Sequence, residues 1–173
     1  MNILAFGTSS SRTSINKALA TYTAGLLDGE VETIELNDYE MPIYSADREK
    51  ADGIPAEAQA FYDKIGQADA LVISFAEHNG SFTAAYKNLF DWASRINQEV
   101  YQGKPTVLLA TSPGENGARS VFAVAKGSAP YFAMDVRASL SVSNFYDNFD
   151  MEIGRITNPD IQTQLEAAVA KLR

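Results

Sequence analysis

The sequence predicts an α/β domain, a five-stranded parallel sheet covered by helices on both faces. Three observations predict it. Short apolar runs alternate with amphipathic, helix-period stretches from end to end. Each of the five runs is followed by a helical stretch, the connection that parallel strands require. The 173 residues suit one domain, 1–173, with no internal repeat, low-complexity stretch or linker.

Met1 to Phe6, closed by Gly7, suits a buried first strand. Ile15, Leu19, Tyr22 and Leu26 then fall at i, i+4, i+7 and i+11, one face of a helix. Val31 to Leu36 gives the second strand, and an acidic loop with Pro42 runs from Asn37 to Gly53. Pro55 opens a second helix to about Gln67. Ala70 to Phe75 is the clearest strand of all. A third helix spans Phe82 to Ile96, with Phe82, Ala85, Leu89, Trp92 and Ile96 on one face. Thr106 to Ala110 is strand four, Arg119 to Phe132 a fourth helix, and Asp135 to Val142 an alternating edge strand. After a polar loop, Asn158-Pro159 caps and starts a final helix with Ile161, Leu165, Ala168 and Leu172 on its apolar face. The economical topology is the flavodoxin-like three-layer sandwich of strand order 2-1-3-4-5. It places a ligand crevice beyond the carboxyl ends of strands one, three and four.

Composition narrows the function. No cysteine is present, which excludes disulfides, thiolate metal sites and a Cys nucleophile. The single histidine, His78, excludes a two-His metal site. With 14 basic against 22 acidic residues the net charge is −8, and no basic cluster offsets it, so nucleic acid is a poor partner. No apolar run reaches membrane-spanning length and no secretory leader is evident, so a cytoplasmic protein is expected.

The loops after strands one, three and four carry the chemistry. Gly7 to Asn16 packs six hydroxyl side chains and Arg12 into the entry of the first helix, where unsatisfied N–H groups suit a phosphate. There is neither G-x-G-x-x-G nor G-x-x-x-x-G-K-[ST], so a monophosphate fits better than a pyrophosphate. The same residues also read as plain loop and cap positions. The loop Ala76 to Ser81 follows the strongest strand; Gly80 permits a positive φ, and Ser81 or Asn79 could cap the third helix. No nucleophile elbow accompanies His78, so a hydrolase triad is not supported. Thr111 to Gly117 offers a Pro-Gly turn, backbone donors and room for a flat ring. A phosphoacceptor receiver shares the topology but needs acids after strand one, where this chain reads Phe6-Gly7-Thr8.

These residues resemble the NADPH-dependent FMN reductase family of quinone, azo-dye and chromate reductases. Gly7 to Asn16 is similar to the family's FMN-phosphate loop, Gly-Ser-x-Arg-x-x-Ser-x-Asn. Glu77-His78-Asn79-Gly80-Ser81, with Ala84, Lys87-Asn88 and Asp91-Trp92, resembles its Pro-Glu-Tyr-Asn-Gly-Ser…Lys-Asn…Asp-Trp signature. Thr111 to Gly114 resembles the third flavin loop, and Met41 to Tyr44 the loop after strand two. Arg12 stands two residues before Ser14 instead of three, Ala76 replaces the usual Pro, and His78 the usual Tyr. The resemblance implies a phosphate held by Ser9, Ser11, Arg12, Ser14, Ile15 and Asn16. It implies an isoalloxazine ring held by Glu77, His78, Asn79, Gly80 and Ser81 and by Ser112, Pro113, Gly114, Asn116 and Gly117. The implied reaction passes electrons from NADPH or NADH through FMN to a small-molecule acceptor, the flavin and no side chain carrying the chemistry. A flavodoxin-type electron carrier docking to protein partners is the alternative, and a flavin-free binding domain a third. Tyr86, Phe90 and Ala93 form a second apolar stripe on the third helix; a homodimer or dimer of dimers through that helix would bury it, as would a wider core contact.

Overall fold

The computed structural model describes all 173 residues, Met1–Arg173. In chain order the strands are β1 (Asn2–Gly7), β2 (Glu30–Thr33), β3 (Ala70–Phe75), β4 (Glu77–His78), β5 (Ser81–Phe82), β6 (Pro105–Thr111), β7 (Asp135–Val142), β8 (Phe149–Asp150) and β9 (Arg155–Ile156). The helices are α1 (Ile15–Ala24), α2 (Ala46–Asp52), α3 (Ala56–Gln67), α4 (Ala84–Ile96), α5 (Arg119–Ser128), α6 (Phe145–Asn148) and α7 (Pro159–Val169). Five strands form one parallel sheet in the order β2-β1-β3-β6-β7, the predicted order. All six residues of β3 are buried, as its unbroken apolar run requires of a central strand covered on both faces.

Alternate strand residues feed two cores. Leu4, Phe6, Leu71, Ile73 and Leu108 pack against α3, α4 and α5 through Phe61, Ile65, Leu89 and Val121. Ile3, Ala5, Val72, Val107 and Leu109 face α1 and α7 through Leu19, Ala20 and Leu165. Gly7 sits where α1 crosses the end of β1: a Cβ there would lie 2.3 Å from the Lys17 nitrogen. Only glycine lets the first turn of α1 come that close to the sheet.

Several predicted boundaries move. Strand two ends at Thr33 and not Leu36, because Glu35 caps a 3-10 turn over Leu36–Tyr39 that drops Leu36 into the core. The loop from Asn37 to Gly53 contains α2, capped by Ser45 and closed by Gly53 at φ 77; α2 buries none of its residues, so it has no apolar period to read. The third predicted helix begins at Ala84 because Thr83, rather than Ser81 or Asn79, accepts the Tyr86 N–H as its cap, and Phe82 belongs to a hairpin. The fourth stops at Ser128 and continues as a 3-10 turn, Ala129–Phe132, around Pro130. The polar loop before Asn158 holds α6, β8 and β9, anchored by Phe145 and Phe149 stacked 4.8 Å apart inside the α1/α7 core. On α4, Tyr86 and Ala93 are buried within the chain and only Phe90 is half-buried. The second stripe is therefore a wider core contact, and it no longer argues for a dimer.

The end of β2 is fixed to the loop after β1. Glu35 accepts from the Lys17 ammonium at 2.5 Å and from the Asn37 amide, and Asn37 donates on to the Ser10 carbonyl at 2.7 Å. Burial raises the Glu35 pKa, but the Lys17 and Asn37 hydrogen bonds outweigh it and leave the carboxyl below its ordinary 4.5. A depressed folded pKa contributes stability above the unfolded value, lost as pH falls through the folded one.

Three outcomes are expected from urea unfolding. Gly7→Ala should lose about 1–3 kcal/mol through overpacking, while Gly127→Ala, exposed in α5 with nothing within 4 Å of the new Cβ, should gain about 0.5–1 kcal/mol. Glu35→Gln should flatten part of the wild-type fall in stability below about pH 4.5 and leave that fall unchanged elsewhere.

Candidate functional site

The loop after β1 is built around Thr8, which is fully buried. Its N–H donates to the Ser74 carbonyl at 2.9 Å, its hydroxyl accepts the Ala76 N–H at 2.9 Å, and its carbonyl accepts the Thr83 hydroxyl at 2.6 Å. One residue, through its backbone and its hydroxyl, thus ties this loop to the start and end of the next. Ser9 accepts the Ser11 N–H at 3.2 Å, and Ser14 caps α1 by accepting the Lys17 N–H at 3.1 Å. A hydroxyl used as an acceptor keeps its own proton to donate outward. The amides of Ser9, Ser10, Arg12, Thr13, Ile15 and Asn16 find no acceptor in the chain. Lys17 is engaged by Glu35, whereas exposed Arg12 makes no ion pair. The result is a dense set of donors at a helix start, with one free cation beside it.

Asn16 has a different place from the one expected. Its side chain is buried, donating to the Thr111 carbonyl at 3.2 Å and accepting from the Thr111 N–H at 3.2 Å and the Ser74 hydroxyl at 2.7 Å. It therefore sets the separation of the three loops, and only its backbone N–H faces a ligand role. Ile15 likewise offers its N–H, its side chain packing against the α1/α7 core.

The loop after β3 folds back as the β4–β5 hairpin. Asn79 at φ 53 and Gly80 at φ 77 form its two-residue turn, the left-handed pair that matches strand twist. His78, Asn79, Gly80 and Ser81 are exposed. Glu77 points the other way. Its carboxylate accepts the Val121 N–H at 2.9 Å, capping the first turn of α5, so its side chain is spent on the loop after β6 instead of on a ligand.

That third loop leaves the amides of Gly114, Glu115 and Asn116 without acceptors. Ser112, half-buried, accepts the Phe145 N–H at its carbonyl, and the Gly114 carbonyl accepts the Asn144 N–H at 2.9 Å. Pro113 is exposed and has no N–H to give. The Gly117 carbonyl accepts the Ser141 hydroxyl at 2.6 Å. Residues 141–145 are thus a fourth wall, made from the end of the predicted edge strand and the start of the polar loop after it, whose composition did not mark it.

Two more residues act at a distance. One turn apart on α4, Asn88 and Trp92 hold the loop Met41 to Tyr44. Asn88 accepts the Tyr44 N–H at 2.9 Å and donates to the Met41 and Pro42 carbonyls, each at 3.2 Å, and the Trp92 indole donates to Pro42 at 2.8 Å. Tyr44 meets Trp92 edge-to-face at 5.0 Å. The Lys-Asn…Asp-Trp signature is a clamp, with Lys87 and Asp91 paired on its outer side at 2.7 Å.

A family model described as NADPH-dependent FMN reductase matches residues 1–147. The quinone reductase of Escherichia coli (strain K12) is 37% identical over 78 residues, covering 45% of this chain and 42% of that protein. The 2-hydroxy-1,4-benzoquinone reductase of Burkholderia sp is 37% identical over 107 residues, 61% of this chain and 57% of that protein. The match thus spans about half the length of these relatives. A flavoenzyme NAD(P)H:(acceptor) oxidoreductase from Paracoccus denitrificans superposes with a TM-score of 0.73 at 22% identity, over 99% of this chain and 94% of that one. An FMN-dependent NADH-azoreductase from Bacillus anthracis, solved with FMN, gives 0.65 at 12% identity, over 99% of both chains. At those identities the two structures speak for the fold. The family match covers the three loops and the α4 clamp, and on it the chain belongs to the NADPH-dependent FMN reductase family.

Proposed function

We propose that the chain binds FMN in this crevice and reduces quinones or similar small oxidants at the expense of NADPH or NADH. The observation that carries the reading is the loop after β1, with six amides lacking acceptors and the Ser9, Ser11 and Ser14 hydroxyls at the start of α1. Such a site holds a phosphate monoester on a protein of net charge −8, because its attraction is local. Arg12 adds the one unpaired cation. The Asn79-Gly80 turn and Gly114 leave open space where a flat ring would lie; a Cβ at either glycine would meet nothing within 4 Å.

Bound FMN supplies two-electron chemistry, with hydride received from a nicotinamide and electrons passed to an acceptor. The chain's own work is to orient. The free amides of Gly114, Glu115 and Asn116 are the donors placed to stabilise negative charge on the ring edge, and they need no reorganisation because residues 141–145 hold their loop. The hairpin keeps His78, Asn79, Gly80 and Ser81 at the rim, and the α4 clamp fixes Met41 to Tyr44 beside it.

A cytoplasmic location is part of the proposal; no helix is long and apolar enough to cross a membrane. So is self-association, for which exposed Val124 and Tyr131 on the α5 side offer apolar surface.

Ser11→Ala tests the phosphate site, since the Ser11 hydroxyl makes no hydrogen bond within the chain. It should weaken FMN about tenfold or more, the worth of a hydrogen bond to a charged group, while leaving urea stability and the affinity for phosphate-free riboflavin unchanged. Asn16→Ala should instead cost about 1–3 kcal/mol of stability with no flavin present, having stripped buried partners from Thr111 and Ser74. In anaerobic stopped flow the FMN-loaded protein should bleach with NADPH or NADH and recover colour with benzoquinone; no FMN uptake, or no bleaching, sinks the reading.

A further inference from the structure

On the flank between α4 and α5 lies an apolar hollow of about 240 Å³ that meets the three loops only at Phe82, the last residue of the β4–β5 hairpin. Phe75, Tyr86, Phe90, Tyr101, Phe132 and Met134 supply its walls. Phe75, Tyr86, Tyr101 and Met134 are buried, so this is an indentation into the core and not a flat surface patch. The rings are mutually braced: Phe90 meets Phe132 edge-to-face at 4.7 Å and Tyr101 face-to-face at 6.0 Å, and Phe75 meets Tyr86 edge-to-face at 5.4 Å. The exposed Lys87–Asp91 pair stands at its mouth, each charge answered by the other. No net charge faces inward.

A second observation is polar. The Tyr86 and Tyr101 hydroxyls hydrogen-bond to each other and to nothing else. Two hydroxyls carry two protons, and only one can lie between them. The other is a donor with no acceptor in the chain, on a buried residue that lines the hollow. Burial pushes both phenols upward, so neither loses its proton at neutral pH. A buried donor left unmet is costly, and a ligand oxygen would relieve it.

We infer that the hollow is a second binding site, separate from the crevice, for a flat one- or two-ring aromatic molecule bearing a neutral carbonyl oxygen. An apolar cavity of roughly 150 Å³ takes a single benzene ring, so this volume accommodates one ring or two fused ones. The aromatic walls offer edge and face contacts, and the spare tyrosine proton selects an acceptor. A carboxylate is excluded, since no cation faces inward to offset its desolvation. The inference does not depend on the redox reading of the crevice.

Met134 reports on the hollow, and Met1, Met41 and Met151 lie outside it. Protein labelled at the methionine methyls is titrated with α-tetralone, a fused-ring ketone, and with tetralin, its carbonyl-free counterpart, with excess FMN present and again without it. The Met134 methyl should shift saturably with both probes while the other three stay fixed, and tetralone should bind roughly two- to tenfold tighter, the worth of one neutral hydrogen bond. FMN should displace neither. The double variant Tyr86→Phe/Tyr101→Phe should bind the two probes equally. Tyr101→Phe alone, which leaves one hydroxyl with its proton free, should keep the preference. A Met134 methyl unmoved up to the solubility of both probes overturns the site, as does displacement by FMN or a Met134 shift that follows protein concentration instead of probe. Equal binding of tetralone and tetralin by the wild type overturns the assigned ligand class.

Discussion

The geometry of the crevice depends on one buried amide. Asn16 reaches from the first turn of α1 to the last residue of β6 and the hydroxyl of Ser74 on β3, so a single planar group fixes the helix start against two parallel strands at the edge where they end. Its bonds lie in the low-dielectric interior, where a hydrogen bond is strong and an unmet partner expensive. Thr8 repeats the arrangement one layer up, joining the first loop to Ala76 and Thr83. Loops of this kind would otherwise be the most mobile parts of the chain. Here they are tied to one another before any ligand arrives.

That division of labour suits the proposed phosphate site to an acidic chain. The side chains most conspicuous in the sequence are largely engaged in holding backbone: Glu77 caps α5, Asn88 and Trp92 clamp residues 41–44, and Lys17 is neutralised by Glu35. What remains at the rim is a set of N–H groups and small hydroxyls with their directions fixed. Preorganised dipoles of this sort need no net charge and lose little on binding, because nothing has to be reoriented. The same logic gives Gly7 its place, since the helix whose start supplies the donors must lie against the sheet closer than any Cβ allows.

The sheet was legible because its signal is dense. The apolar run of Ala70–Phe75 leaves no reading except a doubly covered strand, and strand order follows from alternation and handedness rules that hold across folds. Elements without a buried face were not legible: α2 buries nothing, and α6 and the β8–β9 pair are fixed by Phe145 and Phe149, whose partners are distant in sequence. At the site, loop positions could be read from strand ends, but side-chain direction could not. Asn16 and Glu77 carry the right chemistry for a ligand and turn inward, and only the positions of Thr111 and Val121 decide that. The second stripe of α4 misled for a related reason, since periodicity reports that a face is apolar and not what covers it.

The two recesses of the molecule differ in how their polar groups are met. Around the crevice, unsatisfied donors are backbone amides at a helix start and in open turns, where water reaches them and their cost without a ligand is small. In the hollow the unsatisfied donor is a phenol among aromatic rings, and the other hydroxyls of the lining, Ser94 and Ser128, already donate to backbone carbonyls. An open polar edge can be left wet, whereas a buried half-satisfied pair is a standing cost that two phenylalanines of similar shape would avoid. Retaining both hydroxyls at Tyr86 and Tyr101 therefore makes physical sense if something with an oxygen enters, and the braced rings around them keep that space from collapsing when nothing has.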